Sequence, residues 1–245
     1  MKAVILAGGR GTRLLPLTAN TNKHLLPVAG RPMVAHGLRR LAEAGVHDTL
    51  IVTNPDDIPA FRAALGGAEA HGLTSVDYVA QPEVGGGVAD ALRAAEGFAD
   101  GSAFVVMLGD NLLVDSLRPF VEAFTAQIDR PRLLLGRVKP PMRLQDLGVA
   151  EFDPQDASAL KRIVEKPVEP PSELAVLGVY AYPAGVFPLL AQLEPGPRGE
   201  LEITDFNNTL IGHGPVAHTV YEGRWIDAGT HETLALAETI FGTQV

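Results

Sequence analysis

A glycine-rich segment near the start of the chain has the residue types needed to hold phosphate groups. Residues 1–13 read MKAVILAGGRGTR, which places Gly8, Gly9 and Gly11 within four positions. Without Cβ atoms, such positions leave consecutive backbone amides free to point inward as a binding site for phosphate oxygens. Arg13 and Lys23 can add positive charge, Arg13 through bidentate contacts. Taken alone, the segment is equally compatible with an ordinary turn between a strand and a helix.

Two common phosphate-binding motifs do not fit the spacing of this segment. The dinucleotide fingerprint requires Gly-x-Gly-x-x-Gly, and the Walker loop requires Gly-Lys-Ser/Thr after four intervening residues. Residues 8–13 read GGRGTR and satisfy neither pattern. The sequence therefore indicates a phosphate site of another type.

Two further polar residues follow apolar runs. Asp110 comes after the run 105–108 (VVML), and a carboxylate at the end of a buried strand is well placed to bind a hard cation. Gln81 precedes the glycines of residues 85–87. A glutamine amide presents a donor and an acceptor side by side, which suits the imide edge of thymine or uracil. Each residue considered alone is more often a turn, cap or loop residue.

The surrounding elements predict the architecture that must position these residues. Apolar runs alternate with helical segments in the first half, which predicts βαβ units and a mostly parallel, buried sheet. Ligands of such sheets bind at the carboxyl ends of the strands, so the loops after Leu6 and Leu108 are the first places to expect chemistry. The predicted strands are 3–6, 49–53, 76–79, 104–108, 133–138, 148–152, 160–164 and 175–182; the predicted helices are 33–44, 56–65, 88–96, 185–193, 202–211 and 231–241.

The fold class predicted is therefore α/β, with a Rossmann-like mixed, mostly parallel sheet flanked by helices. We expect one domain over residues 1–245, with a nucleotide-binding half at about 1–130 and a sugar-binding half at about 131–245, both sharing one sheet.

Composition excludes several classes of protein. The net charge is −9 and no basic cluster is present, which argues against a nucleic-acid partner. There is no cysteine, hence no disulfide framework and no thiol nucleophile. No apolar run approaches the roughly 20 residues needed to span a bilayer, and the first residues lack the regions of a signal peptide. We expect a cytoplasmic enzyme with no membrane contact.

The longer motif around the glycines resembles a known family. Residues 6–14 (LAGGRGTRL), 16–18 (PLT) and 23–28 (KHLLPV) are similar to the signature of sugar-1-phosphate nucleotidyltransferases, closest to the glucose-1-phosphate thymidylyltransferases. The resemblance extends over nearly the whole chain and implies the fold of the nucleotide-diphospho-sugar transferases. It implies a nucleotide site made by Leu6, Gly8, Gly9, Gly11, Thr12, Arg13, Lys23, His24, Gln81, Gly86 and Gly87.

The same resemblance assigns the other groups. Asp110 and Asp227 correspond to the family's metal-binding pair, and the expected cofactor is Mg²⁺, which needs few protein ligands. Arg13, Lys23 and Lys166 are the expected catalytic residues. The sugar phosphate is expected to bind to Asn111, Gly148, Glu165, Lys166, Val176, Tyr180 and Arg198.

This chain departs from the family pattern at three places. His24 stands where the subgroup usually has glutamine, and the charge of a free histidine varies near neutral pH. Leu147 stands where many relatives have an aromatic residue. The loop before residue 88 has one additional residue, so Gly86 and Gly87 compete for the same role. These departures affect the choice of substrate more than the type of reaction.

The implied reaction is in-line attack by a sugar 1-phosphate, expected to be glucose 1-phosphate, on the α-phosphorus of a nucleoside triphosphate, expected to be dTTP. One methyl group separates thymine from uracil, worth only about 1–3 kcal/mol in a pocket, so a UTP-using enzyme stays open. Enzymes for other hexose phosphates and a non-catalytic sugar-nucleotide-binding paralogue stay open too. We expect a homo-oligomer, a dimer or tetramer, of a short form without the regulatory C-terminal segment of longer relatives.

Overall fold

A mixed β-sheet runs through both halves of the chain in the computed structural model, which describes residues 1–196 and 199–243. Within that part, nine strands form the main sheet, and two short two-stranded ladders lie beside it. The strands are β1 Lys2–Leu6, β2 Pro27–Val28, β3 Arg31–Pro32, β4 Asp48–Thr53, β5 Ser75–Ala80, β6 Phe104–Leu108, β7 Asn111–Leu113, β8 Arg132–Arg137, β9 Gly148–Asp153, β10 Asp156–Glu165, β11 Leu174–Tyr182, β12 Ala217–Tyr221 and β13 Trp225–Asp227.

Helices cover the faces of this sheet and leave one edge open. They are α1 Met33–Glu43, α2 Ile58–Leu65, α3 Val88–Arg93, α4 Glu96–Ala99, α5 Arg118–Thr125, α6 Phe187–Leu190, α7 Ile203–His213 and α8 His231–Gly242. Within the described residues, no helix is both long and apolar enough to cross a lipid bilayer.

The first half forms the parallel part of the sheet, in the order β6-β1-β4-β5. β1 pairs in parallel with both β4 and β6, and β4 pairs in parallel with β5. Parallel strands end at the same edge, so Leu6, Thr53, Ala80 and Leu108 lie side by side there. The loops that carry the predicted nucleotide residues therefore meet at one place.

The second half continues the same sheet, mostly with antiparallel pairing. β11 lies against β6 and also pairs with β8 and β9. The end of β10 is held by Asn208 of α7, which accepts a hydrogen bond from Ile163 N at 2.7 Å and donates one to Ile163 O at 2.9 Å. This anchor fixes the strand end that carries Glu165.

The core explains why β1 has no polar alternation. Successive strand residues point to opposite faces, and both faces of β1 are covered by helices. Ile5 packs on one side in a cluster with Leu38 of α1, while Val4 packs on the other with Leu92 of α3. A strand buried on both faces must be apolar throughout, as residues 3–6 are.

Several predicted boundaries were wrong. The predicted helix 88–96 is divided into α3 and α4, because residues 94 and 95 form a turn between them. The predicted helix 185–193 is only Phe187–Leu190, since Gly185 has φ +83°. Sequence reasoning missed α5, β7, β12 and β13. β12 is mostly half-buried and is a strand because it pairs in parallel with β8, some 85 residues earlier. Local periodicity in the sequence does not reveal such a contact.

Candidate active site

A cavity of about 380 Å³ opens at the carboxyl edge of the parallel strands. Its walls come from the loop after β1, the segment around Lys23, the ends of β5 and β6, and the start of α3. Nine predicted nucleotide or metal residues line it: Leu6, Gly8, Gly9, Thr12, Lys23, His24, Gln81, Gly87 and Asp110. The structure therefore brings together residues that lie more than 100 positions apart in the sequence.

The glycine loop packs so closely that side chains are excluded from it. A Cβ atom on Gly9 would lie 3.1 Å from Lys23 Cε, and one on Gly8 would overlap the Gln81 amide. Gly11 has φ +64°, and a Cβ there would lie 2.9 Å from atoms of both Lys23 and Thr18. Thr18 also donates a hydrogen bond to Gly11 O at 2.8 Å. The glycines thus let the loop backbone lie directly on Lys23 and Gln81.

Lys23 and Asp110 form a buried ion pair at the base of the cavity. Lys23 Nζ donates to Asp110 Oδ2, joining the segment after the glycine loop to the end of β6. Burial alone would raise the pKa of Asp110, but the Lys23 ammonium and hydrogen bonds from Lys23 and Asn111 together hold this pKa well below its usual value. Asp110 is therefore a carboxylate at all physiological pH values.

His24 is a buried, neutral residue, which corrects the expectation that its charge varies near neutral pH. Burial, followed by the positive charge of Lys23, lowers the pKa of His24 from 6.5 to about 3. The ring contacts Asn22, whose Oδ1 lies 2.8 Å from His24 Nδ1 and accepts a hydrogen bond from His24 N at 2.9 Å. Gly109 gives the ring room, because a Cβ there would lie 2.7 Å from His24 Cδ2.

Asp227 lies beside Asp110 because β13 pairs with β7. In that ladder Asp227 is opposite Asn111, and Ala228 N donates to Asp110 O at 2.9 Å. Burial, and then the negative charge of Asp110, raises the pKa of Asp227 from 3.8 to about 6. Two neighbouring carboxylates that repel each other, Asp110 buried and Asp227 half-buried, fit a divalent cation, which would offset both charges.

The donor set is small but sufficient for magnesium. No group of three or more His, Cys, Asp or Glu side chains with metal-binding geometry occurs among residues 1–196 and 199–243. Mg²⁺ is commonly held by one or two carboxylates together with water and substrate phosphates. Asp110 and Asp227 match that requirement, and they do not match a cage made only of protein ligands.

The structure separates the two glycines that compete in sequence. Gly87 lines the cavity and has φ +100°, whereas Gly86 does not line it. A Cβ on Gly86 would lie 2.6 Å from Asp90 Oδ2, and Gly86 O accepts a hydrogen bond from Leu201 N at 2.8 Å. The contacts of Gly86 are structural, and its assignment to the nucleotide site stays a prediction.

Arg13 does not line this cavity but lies next to Asp227. Its guanidinium would be 2.9 Å from a Cβ atom placed on Gly229, and its positive charge lowers the pKa of Asp227. Gly229 N in turn donates to Asp227 Oδ1 at 2.9 Å. Arg13 is thus positioned beside the two-carboxylate site.

Among the described residues, the predicted sugar-phosphate residues do not line this cavity. Asn111 connects the two regions, because its Oδ1 accepts from Gly178 N at 3.1 Å and its Nδ2 donates to Asp110 Oδ1 at 3.2 Å. Tyr180 is buried between them, and burial, followed by the charges of Glu165 and Asp110, raises its pKa.

Glu165 and Lys166 follow each other at the end of β10. Glu165 accepts a hydrogen bond from Thr204 Oγ1 at 2.7 Å, and its other oxygen lies 3.5 Å from Lys166 Nζ. Glu165 is opposite Gly148 in the β10–β9 ladder. Lys166 has the positive φ of +45° and its backbone N donates to Leu147 O at 3.0 Å. This backbone turn directs the chain away from the strand direction at Lys166.

Two predicted sugar-site residues remain, one on β11 and one outside the described part of the chain. Val176 is opposite Leu135 in the β11–β8 ladder and is half-buried. Arg198 lies outside the described residues.

Sequence reasoning missed six residues that line the cavity: Arg10, Gly85, Val88, Ala91, Leu108 and Glu200. Val88 and Ala91 carried a usable signal, since residues three apart at the start of a helix share one face. Glu200 carried none, because its approach to the cavity depends on Leu201 packing against the backbone of residues 86–89.

Comparison with known proteins gives a consistent result. Residues 2–241 match the family described as Nucleotidyl transferase. The chain is 37% identical over 247 residues to Glucose-1-phosphate thymidylyltransferase of Neisseria meningitidis, covering 99% of this chain and 83% of that protein. It is 38% identical to the protein of the same name from Xanthomonas campestris pv. campestris, covering 99% and 81%.

Solved structures agree with the fold. A Bacillus anthracis structure assigned as a glucose-1-phosphate thymidylyltransferase, in complex with a sucrose, superposes with a TM-score of 0.89 at 40% identity, covering 99% of this chain and 95% of that one. UDP-glucose pyrophosphorylase complexed with UDP-glucose superposes with a TM-score of 0.87 at 23% identity, covering 100% and 99%, and at that identity supports the fold alone.

Proposed function

Because this chain belongs to the nucleotidyl transferase family, we propose that it is a glucose-1-phosphate thymidylyltransferase. It transfers a thymidylyl group from dTTP to glucose 1-phosphate and releases pyrophosphate. The observation that carries the proposal is the Lys23–Asp110 ion pair at the base of a glycine-lined cavity, in a chain 37% identical to a curated enzyme of that name over 99% of its length.

The nucleotide side of the reaction uses the loop after β1. Gly8, Gly9 and Gly11 let backbone amides approach the triphosphate, and Thr12 lies at the start of the following turn. Lys23 and Arg13 supply positive charge to phosphate oxygens. The Gln81 amide faces the base, and Gly87 lets the backbone come close to it.

The sugar side uses the end of β10 and its neighbours. Lys166 offsets the charge of the sugar phosphate, and Glu165 accepts hydrogen bonds from sugar hydroxyls. Gly148, Asn111 and Val176 complete the ring contacts, with Tyr180 supporting them from the core. Arg198 is a further candidate phosphate contact.

Asp110 and Asp227 would hold a Mg²⁺ ion, which supplies charge neutralisation at the phosphates. Burial and mutual repulsion of the two carboxylates support this assignment. The Lys23 ammonium already neutralises Asp110 in the structure, so cation binding would free Lys23 for a phosphate oxygen.

The reaction itself needs little covalent help from the protein. An ionised oxygen of the sugar phosphate forms a bond to the α-phosphorus, and the bond from that phosphorus to the β-phosphate bridging oxygen breaks. Because the nucleophile is already ionised, no general base is required. Two anions must nevertheless be brought together, so the side chains act by positioning and by offsetting charge.

A substrate matrix tests this proposal. The purified protein is incubated with dTTP, UTP, dCTP, ATP or GTP against glucose, galactose or mannose 1-phosphate, and pyrophosphate is measured. The expected result is pyrophosphate release with dTTP and glucose 1-phosphate above all other pairs. Release with UTP or another hexose phosphate alone would replace the substrate assignment, and no release with any pair would favour a non-catalytic binding protein. A homo-oligomeric state, a single domain and a cytoplasmic location stay predictions of the sequence.

A further inference from the structure

A continuous chain of hydrogen bonds lies behind the cavity and connects its two polar walls. Gln81 Nε2 donates to Asn54 Oδ1 at 2.9 Å, and Asn54 Nδ2 donates to Asp57 Oδ2 at 2.7 Å. The same Asp57 oxygen accepts from Asn22 Nδ2 at 2.8 Å. Asn22 Oδ1 then accepts from His24 N. Asp57 is therefore the junction between Gln81 and His24.

This junction fixes which way each amide points. A carboxylate oxygen accepts hydrogen bonds and cannot donate them, so both asparagines must turn their NH₂ groups toward Asp57. Asn54 then presents its carbonyl oxygen to Gln81, and the NH₂ group of Gln81 must donate to that oxygen. The Gln81 carbonyl is left on the opposite side of the amide.

The free end of Gln81 reaches the cavity wall. Its Oε1 lies against the backbone of Gly8, where only a glycine leaves space for it. No residue within 1–196 or 199–243 donates a hydrogen bond to this oxygen, and Gln81 lines the cavity. The side chain is held at its other end and by its backbone N, which donates to Thr53 O at 2.8 Å.

We propose that Asp57 is a positioning residue that sets base specificity, because through Asn54 it makes Gln81 present a hydrogen-bond acceptor to the nucleobase. This inference rests on the proposed nucleotide substrate and identifies its chemical class. A base with a ring N–H on its pairing edge, such as thymine or uracil, donates to Gln81 Oε1. Cytosine has an unprotonated ring nitrogen at that position, and two acceptors would face each other.

The matching second contact strengthens the discrimination. Gln81 Nε2 has two hydrogens, of which one is used by Asn54. The other can donate to a carbonyl oxygen of thymine, whereas the exocyclic amine of cytosine would present another donor. Both contacts therefore favour thymine, and a site with fixed donors and acceptors rejects a mismatched partner more strongly than an apolar pocket rejects a methyl group.

The test compares dTTP with 5-methyl-dCTP, which has the methyl group of thymine and the pairing edge of cytosine. The measured quantity is the ratio of kcat/KM for the two nucleotides with glucose 1-phosphate. Asp57→Ala allows the side-chain amides of Asn54 and Gln81 to rotate by half a turn, so the ratio of kcat/KM for dTTP to that for 5-methyl-dCTP should fall by about tenfold or more. Asp57→Asn can still accept both amides through its carbonyl oxygen and should keep most of the discrimination.

Asp56→Ala is the matched control. Asp56 belongs to the same turn, Pro55–Asp57, is exposed, and makes no hydrogen bond or ion pair with the described part of the chain. Its ratio should equal that of the wild type. If Asp57→Ala does not fold, Asn54→Ala removes the link to Gln81 and should give the same loss of discrimination.

Three results would overturn the proposal: an unchanged ratio in Asp57→Ala and Asn54→Ala, an equal loss in Asp57→Asn, or a loss in Asp56→Ala. A purely structural role would lower kcat/KM for both nucleotides by the same factor. Calorimetric binding of dTTP and 5-methyl-dCTP, without sugar phosphate, separates this inference from the proposed function. Preferential dTTP binding without turnover would reject the function and keep the inference; equal binding by the wild type would reject the inference.

Discussion

Replacing Gly87 with alanine should disrupt the contact between the start of α3 and the segment around Leu201. Gly87 has φ +100°, where side chains are strained by about 1–3 kcal/mol. Its added Cβ would lie 2.8 Å from Leu201 N and 2.9 Å from Leu201 C. These are backbone atoms that cannot rotate away, so Leu201 itself must move.

The cost of that movement follows from the bonds that hold Leu201. Its N donates to Gly86 O at 2.8 Å, and its O accepts from Ala89 N at 3.0 Å. Two lost backbone hydrogen bonds cost about 0.5–1.5 kcal/mol each, hence about 1–3 kcal/mol beyond the strain. Because Glu200 and Gly87 both line the cavity, the displacement should also raise the KM for dTTP.

Gly85→Ala is a matched control for this variant. Gly85 also lines the cavity and has φ +93°, but a Cβ there would have no heavy atom within 4 Å. Both variants carry the strain, and only Gly87→Ala moves Leu201. Urea unfolding can be followed by the fluorescence of Trp225, the one tryptophan in the sequence. The free energy of unfolding of Gly87→Ala should be lower than that of Gly85→Ala by about 1–3 kcal/mol. Equal unfolding free energies would refute this account of the contact.

Three further outcomes are expected. Asp110→Asn and Asp227→Asn should each nearly abolish Mg²⁺-dependent pyrophosphate release while circular dichroism stays that of the wild type; near-normal release in both would exclude the metal assignment. Lys166→Ala should raise the KM for glucose 1-phosphate at least about tenfold with little change for dTTP, because one charge-assisted contact is lost, whereas Lys161→Ala, an exposed lysine paired with Glu151, should change neither. Burial lowers the pKa of His36, so as the pH falls below 6.5 the unfolded chain binds a proton at this residue more readily than the folded chain does. The wild type should therefore lose stability as the pH falls from 7.5 to 5.5, and His36→Asn should lose less in urea unfolding over the same range; equal losses would contradict the expected protonation difference.

Much of the site could be read from local sequence. The segment 6–14 and the run before Asp110 are short, and their periodicity and glycine spacing are visible without any tertiary contact. The parallel pairing of strands in the first half followed from the alternation of strands and helices, although the strand order did not. Boundaries failed where a local turn interrupted a helix, as at residues 94–95, or where a backbone torsion excluded a residue from it, as at Gly185 with its positive φ.

Other features depend on which segments meet in space. The sequence places Lys23 and Asp110 in separate motifs 87 residues apart. The parallel pairing of β1 with β6 brings the segments after these strands close enough for the two side chains to form an ion pair. Gly86 and Gly87 also differ in their neighbours, because a Cβ on Gly86 would meet the Asp90 carboxylate and one on Gly87 would meet the backbone of Leu201, a residue distant in sequence.

The sequence alone indicated the reaction type through its resemblance to the sugar-1-phosphate nucleotidyltransferases, because its motifs carry that family's glycines, lysines and carboxylates. Protonation and orientation were decided only by the tertiary structure. His24 is neutral because burial and Lys23 disfavour its charged form. The Gln81 carbonyl points toward Gly8 because Gln81 donates to Asn54, which in turn donates to Asp57, and a carboxylate can accept but not donate. The burial of His24 and the hydrogen bonds that reach Gln81 both depend on segments that meet only in the folded chain, since a charge or an amide orientation is set by all the groups that surround it.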